Sequence, residues 1–429
     1  MSLAPFKTVQ TLQETLSQAA KQSLDRRFGA LFDKVYRMDV LWSAWRAVRR
    51  NDGGPGIDEE TLDYIENEIG VWRFLQELHD ELKNDTYRAQ PVKRVWIDKP
   101  GQQDAKRPLG IPVVRDRVCQ TAVKLVIEPI FEANFLDSSF GFRPGRSPHD
   151  AIEVIQRSIT FEGYREVVDA DLQGYFDSIP QDRLLELVSR RISDPRVLKL
   201  IKAWLRCGVM EEGKLRRSIT GTPQGGCISP LLSNIYLHAF DKMWQLRGPK
   251  GTKLVRFADD FVILCRRSGH VAKREAQKFL DRLGLVLNRE KTHVVHVSRG
   301  FDFLGMTFRY GPTSSAAKRL KFNCYRWPRR KAMDALREKI RTKIGRRYHL
   351  SLQEMIREIN PILRGWRNYF RVGNSERHFY RLDRFVMNRL RIFVKRKHND
   401  PCRGMRNVSV ALFARLGLFR LARDHVSFI

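Results

Sequence analysis

Several things are missing from this sequence, and each absence narrows its class. Cysteine is scarce and scattered: Cys119, Cys207, Cys227, Cys265, Cys324 and Cys402 stand singly, with no C-x-x-C pair. A disulfide framework or a structural zinc site needs thiols at short, repeated spacings, so reduced thiols in a bacterial cytoplasm are expected. No run of about 18 apolar residues occurs, which leaves no segment to cross a bilayer as a helix and argues against a membrane partner. The opening, Met1 to Gln10, lacks the charged-then-apolar order of a secretory signal. There is no low-complexity tract and no internal repeat. The chain is shortest of all in negative charge: 48 Asp and Glu face 79 Lys and Arg, a net charge of +31.

An excess of that size repels itself inside a compact globule, and the usual compensation is a polyanion, so nucleic acid is the leading partner class. The charge is also unevenly placed, because residues 315–400 hold 25 Lys and Arg against 7 Asp and Glu. At 429 residues and 42% hydrophobic content the chain is long enough to bury about two or three separate cores.

Periodicity gives the coarse plan. Asp39 stands where a helix cap belongs, ahead of Leu41, Ala44, Trp45 and Val48 at helical spacing, and 72–83 continues in the same period. Val92, Val95 and Ile97 then alternate with polar neighbours, which reads as a half-buried strand ending at Lys99-Pro100-Gly101. Residues 117–131 read as a helix, Ser147-Pro148 opens another, 167–171 is a short strand and 183–206 is helical. Ser229-Pro230 starts a helix after a Gly-rich loop, and 254–265 makes two apolar strands around Ala258-Asp259-Asp260, the pattern of a tight hairpin. From 329 the pattern becomes Arg-rich helices near 329–346, 351–371 and 376–398, with a boundary expected at 311–328. The fold class is thus α+β for three quarters of the chain and all-α at its end.

Asp171 at the end of a strand and Asp259-Asp260 at a hairpin turn form a candidate metal site. Joining a nucleotide to a growing strand needs charge neutralised between the attacking hydroxyl and the leaving pyrophosphate. Two divalent ions do this when carboxylates from more than one segment hold them. Magnesium prefers oxygen donors, so Asp residues without His or Cys suit it. A lone Asp-Asp in a hairpin is more often a plain turn, since Asp favours turns. Its companions decide otherwise.

Arg256-Phe257-Ala258-Asp259-Asp260 resembles the F/Y-A-D-D motif of group II intron reverse transcriptases. Asp169-Ala170-Asp171-Leu172-Gln173-Gly174-Tyr175-Phe176 is similar to the first palm motif of that family, and Gly221-Thr222-Pro223-Gln224-Gly225-Gly226 to its second. Further likenesses, in the same order along the chain, are Lys106 to Pro112, Ser139 to Arg146, Asn288 to Thr292 and Phe303-Leu304-Gly305. The likeness runs over about 28–398.

The resemblance implies a right-hand polymerase with fingers and palm followed by a helical thumb. The implied division is 1–90 as an N-terminal extension and the start of the fingers, 91–310 as fingers and palm, 311–398 as thumb or maturase domain, and 399–429 as a short basic remnant without endonuclease. It implies an RNA-directed DNA polymerase with two Mg2+ ions, or Mn2+ in their place, on Asp171, Asp259 and Asp260. Its partners would be an RNA template, a DNA or RNA primer, dNTPs and structured intron RNA. By the same likeness Lys99, Arg107 and Gln224 hold the nucleotide, Phe176 is a steric gate against a ribose 2′-hydroxyl, and Lys291 favours pyrophosphate departure. The loop after Lys99 is longer than the pattern, which loosens that placement.

Phe140, Phe142, Arg143 and Arg146 interleave rings with cations, which suits stacking and phosphate contact along a single strand. Leu363-Arg364-Gly365-Trp366-Arg367-Asn368-Tyr369-Phe370 resembles the maturase segment of the family, so Arg364, Trp366 and Arg367 are candidate RNA contacts. Two other readings stand beside an intron-encoded enzyme: an RNA-binding splicing factor whose polymerase site is idle, and a free-standing host reverse transcriptase in DNA repair or phage defence.

Overall fold

The computed structural model describes residues 4–98, 106–211, 214–216, 221, 225–313, 322–398 and 409–422. Helices α1 (Ala4–Gln22), α2 (Phe32–Val35), α3 (Met38–Asn51), α4 (Leu62–Tyr64) and α5 (Val71–Lys83) precede the first strands, β1 (Val92–Asp98) and β2 (Lys106–Ile111). The chain continues through α6 (Val114–Glu132), α7 (Pro148–Phe161), β3 (Glu166–Ala170), α8 (Tyr175–Ser178), α9 (Gln181–Ser189), α10 (Pro195–Arg206), β4 (Val209–Glu211) and β5 (Lys214–Arg216). Then come α11 (Ser229–Arg247), β6 (Thr252–Phe257), β7 (Asp260–Cys265), α12 (Gly269–Arg282), β8 (His293–His296), β9 (Phe301–Phe303), β10 (Met306–Pro312) and β11 (Phe322–Pro328). Among the described residues, four helices follow: α13 (Arg330–Ile344), α14 (Leu352–Phe370), α15 (Glu376–His398) and α16 (Val410–Arg415). Among the described residues, no helix is long and apolar enough to cross a membrane.

Compactness divides the chain otherwise than the expected linear domains. One unit gathers Met1–Ser147, Ala170–Ile263 and His270–His293; the other gathers Pro148–Asp169, Leu264–Gly269 and Val294–Ile429. The bounds of the units fall inside β3, β7 and β8, three strands of the sheet with order β6-β7-β3-β8.

In the first unit, α3 buries Val40, Leu41, Ala44, Trp45 and Val48 on one stripe, as its spacing requires, and Trp45 tilts against Phe74 at 5.6 Å. Arg37, not Asp39, holds the cap position of α3. Asp39 sits in the first turn, where its carboxylate receives the Val40 N–H and pairs with Arg37, a placement that suits the positive end of the helix. Helix α6 is buried on all sides, from Val114 to Phe131. The expected single helix over 183–206 is broken. Asp194 caps α10 by accepting from the Arg196 and Val197 N–H groups, while its other oxygen receives the Leu31 and Phe32 N–H groups. A carboxylate with four backbone donors at a Pro-led helix start ends one helix and begins the next. A second sheet has the order β2-β1-β4-β5, with β1 and β2 antiparallel and Ile97 opposite Arg107.

In the second unit, β9, β10 and β11 form an antiparallel sheet in which Met306 faces Pro328 and Pro312 faces Phe322. The stretch 311–328, expected to be a domain boundary, therefore contains the facing ends of two paired strands. A capping box opens α14, with Ser351 and Glu354 each receiving the other's backbone N–H. Residues 409–422 are not a separate basic remnant, because Phe413 and Leu421 are buried. The Leu421 and Ala422 N–H groups bind the carboxylate of Asp383 on α15.

Candidate active site

Asp171 is placed by β3, and two backbone bonds fix the register around it. The Arg165 N–H donates to the Cys265 carbonyl at one end of β3, where β7 finishes, so these neighbouring strands run antiparallel. Carrying that register to the strand ends sets Ala170, the last residue of β3, across from Asp260, the first of β7, so Asp171 and Asp259 each lie one residue beyond the paired strands. On the other flank the Asn288 N–H donates to the Asp171 carbonyl at 2.8 Å, and the Asp171 N–H reaches Thr292 Oγ1 at 3.4 Å. The same segment turns Lys291 inward, with Nζ 3.1 Å from Asp171 Oδ2. Both members are partly exposed, the side chains at 63% and 34%, so the pair is a screened one.

Asp259 sits in the two-residue turn between β6 and β7, and the turn is an unusual one. Ala258, its first residue, has φ of +58°, a left-handed value that favours glycine and is strained for a residue with a side chain. A Cβ on Gly141 would lie 2.3 Å from the Ala258 nitrogen, so only glycine allows that loop to press on the turn. Phe142, half exposed, brings its ring to 6.5 Å from Phe257 in the same motif.

The glycines of the Gly-rich loop also have positional reasons. Gly221 has φ of +90° and lies against the backbone of Phe176 and Asp177, where a Cβ would meet Asp177 Cα at 3.0 Å. Gly225, with φ of +116°, lies against β2, where a Cβ would meet the Gly110 carbonyl at 2.3 Å. Gly221 thus lies beside the short helix α8 that bears Phe176, and Gly225 beside the strand that bears Arg107. Phe176 is half-buried, its ring 5.3 Å from Tyr175, whose buried hydroxyl donates to the Ser233 carbonyl. Burial pushes the Tyr175 phenol well above its ordinary range and keeps it a donor. Lys99 and Gln224 lie outside the described residues, and for Arg107 only the backbone position in β2 is described.

Of the aromatic and cationic candidates, Phe142 and Arg364 are exposed. Phe140 is buried at 3%, and its N–H binds the Arg256 carbonyl. The Arg143 side chain is 4% exposed, forked onto Glu132 and donating to the Leu136 and Ser139 carbonyls. These two therefore hold the loop rather than face a nucleic acid, since their groups are already spent inside. Arg146 pairs with Asp137 and lies over the Phe140 ring. Trp366 packs between Phe370 and Phe379, while Arg364 and Arg367 lie over Phe419 and the Arg367 Nε–H donates to the Leu421 carbonyl. The two arginines tie α14 to the terminal segment, and Trp366 ties it to α15.

Sequence reasoning missed Arg256 and its partner Asp241, both fully buried and joined at 2.9 and 2.5 Å. No periodicity marks a charge as buried, so the signal available was only its place beside the Asp pair.

The three Asp side chains are hard oxygen donors on neighbouring strand ends, and magnesium commonly takes one or two carboxylates, with waters and substrate phosphates completing its shell. The donor set fits an open site of that kind. Among the described residues, no group of three or more His, Cys, Asp or Glu stands close enough to hold a metal ion, and Asp171, Asp259 and Asp260 are not gathered into one.

Two family models match. Residues 97–308 fit "Reverse transcriptase (RNA-dependent DNA polymerase)" and residues 333–408 fit "Group II intron, maturase-specific domain". The chain is 30% identical over 370 residues to the group II intron-encoded protein LtrA of Lactococcus lactis subsp. cremoris, covering 71% of this chain and 60% of LtrA. It is 33% identical over 336 residues to protein YkfC of Escherichia coli (strain K12), covering 69% of this chain and 87% of YkfC. A putative COX1/OXI3 intron 1 protein of Saccharomyces cerevisiae is 28% identical over 318 residues, 61% of this chain and 37% of that one. The chain thus spans about three fifths of the length of LtrA.

Proposed function

The chain belongs to the family of group II intron reverse transcriptases and maturases, and from that premise we propose that it is an RNA-directed DNA polymerase working by two-metal nucleotidyl transfer. The observation that carries this reading is that the end of β3, followed by Asp171, lies beside the start of β7, where Asp260 follows Asp259, with Lys291 against Asp171. The sheet β2-β1-β4-β5 serves as fingers, β6-β7-β3-β8 as palm and α13 to α15 as thumb.

Bound Mg2+, or Mn2+ in its place, supplies charge neutralisation at the attacking and leaving oxygens. The residues of the protein do the rest. Asp171 and Asp259 would hold the metals from neighbouring strand ends, with Asp260 supporting. Phe176 and the Gly-rich loop shape the space for the sugar, so that a 2′-hydroxyl meets an aromatic ring. Arg107 and Lys99 balance the triphosphate, and Lys291 stands beside Asp171 to meet charge on the departing pyrophosphate. Template RNA, a DNA or RNA primer and dNTPs are the substrates. The basic helices beyond 329 bind structured intron RNA and assist its splicing, which the match over 333–408 supports.

Primer extension on an RNA template with Mg2+ tests the reading. Purified wild type is expected to extend with dNTPs. A protein that binds RNA but makes no product would instead be a splicing factor with an idle site.

A further inference from the structure

Arg256 is the largest fully buried side chain described, and its cation lies beneath the turn that carries Asp259. Its donors are distributed with little to spare. Nε and Nη2 fork onto Asp241 at 2.9 and 2.5 Å, while Nη1 donates to Asn234 Oδ1 at 3.0 Å and to the Ala258 carbonyl at 2.9 Å. Asn234 in turn donates to the Gly141 carbonyl at 2.7 Å, and it is Gly141 that presses on the Ala258 nitrogen from the other side. The Arg256 backbone is clamped as well, its N–H on the Ser138 carbonyl and its carbonyl receiving the Phe140 N–H. The strained residue preceding Asp259 is therefore gripped through its carbonyl and wedged at its nitrogen, and one ion pair anchors the grip.

A cation and a carboxylate buried together are a poor way to gain stability, because apolar residues of similar volume commonly do as well. A charge kept in such a place has a task that apolar packing cannot do, and a peptide carbonyl turned in a strained direction needs a strong, directional donor.

We infer that Arg256, held by Asp241 and Asn234, is a positioning residue that sets the conformation of the Ala258-Asp259 turn and so the direction of the Asp259 carboxylate. The inference rests on the polymerase reading, but its test separates the two. If wild type extends no primer, the polymerase reading fails. If wild type extends and the variants below match it, only the role of Arg256 fails.

Arg256→Lys keeps the charge and loses the planar fork that reaches Asp241, Asn234 and Ala258 together. It is expected to bind primer–template as wild type does and to keep the KM for dNTP within about twofold. Its kcat should fall by between about tenfold and a hundredfold, the scale that a displacement of about 1 Å costs. Because a lysine there risks an unfolded protein, the neutral pair Arg256→Gln with Asp241→Asn is made alongside, which leaves no uncompensated charge. Mn2+ binding, followed by the paramagnetic signal of the ion and independent of turnover, gives a second readout. The expectation is a weakening of about tenfold in the variants, with thermal unfolding of the double variant close to wild type. Gly141→Ala, which pushes on the same turn and leaves the ion pair intact, should give the same split between kcat and KM. Full kcat and unchanged Mn2+ affinity in a folded Arg256 variant would overturn the inference. So would a loss of rate only in proportion to the fraction of protein folded.

Discussion

Lys291 gives a prediction with opposite signs for binding and for rate. Its ammonium lies 3.1 Å from Asp171 Oδ2, so on the proposed reading it competes for the carboxylate that a divalent ion would bind. At this distance two unit charges in water attract by about 1 kcal/mol, and with 63% of the lysine side chain exposed the upper end of a surface pair is the ceiling. Removing a competitor worth about 1 kcal/mol should tighten metal binding by up to about fivefold. Lys291→Ala is therefore expected to bind Mn2+ more tightly than wild type at low ionic strength, with the gap shrinking as salt screens the pair. The maximal extension rate should nevertheless fall, because on the proposed reading Lys291 is the cation that meets the departing pyrophosphate. Lys291→Arg, which keeps the charge, should bind metal as wild type does. Mn2+ titrations of the three proteins at two salt concentrations, paired with single-turnover extension, decide the matter. Equal or weaker Mn2+ affinity in Lys291→Ala at low salt would refute the reasoning, whatever the rate does.

Four further outcomes are expected. Asp259→Ala should lower primer extension by on the order of a thousandfold, the several kcal/mol that metal-held charge contributes; a variant with wild-type rate would remove Asp259 from the site. Phe176→Ala should raise ribonucleotide incorporation relative to dNTP by roughly 10- to 100-fold in competition assays, and an unchanged ratio counts against the gate. Asp383→Ala strands the buried Leu421 and Ala422 N–H groups, so thermal unfolding should show a loss of about 2–4 kcal/mol; a melting temperature like that of wild type would mean the terminal segment is held otherwise. Burial lifts Asp116 from its ordinary 3.8 to about 6, against the lowering pull of bonds from Tyr87 and the Gln90 N–H. A carboxyl that keeps its proton better folded than unfolded favours the fold below about pH 4, and that contribution, roughly 3 kcal/mol, is lost as pH rises through about 6. Urea midpoints across this window should fall more steeply for wild type than for Asp116→Asn, and parallel slopes would exclude Asp116 as the titrating group.

What was legible in the sequence follows from what periodicity can carry. The helix over 72–83 and the three terminal helices each show one face to a core, and the spacing of their apolar residues states which face; the strand 92–98 forms as expected, but Ile97, expected on its buried face, is half exposed like Trp96. The Asp residues were legible for another reason: acidic side chains on apolar strands conflict with burial, and that conflict marks a site before any fold is known. Side chains that serve the site from inside were not legible. Arg143 and Arg256 look alike in a string of letters to an arginine that meets phosphate. What separates them is Glu132 and Asp241, which lie 11 and 15 residues away in the chain and reach them only through a loop and a helix crossing. The split of 183–206 at Asp194 has the same origin, because two of the four donors on that carboxylate come from residues 162 and 163 positions away. Local pattern fixes which segments form and which face is apolar, whereas the direction of a charged side chain is set by partners brought from elsewhere. A catalytic turn held in a strained form must be held by such partners, so the residues around Asp259 that matter most for its aim are those that a reading of the motif alone passes over.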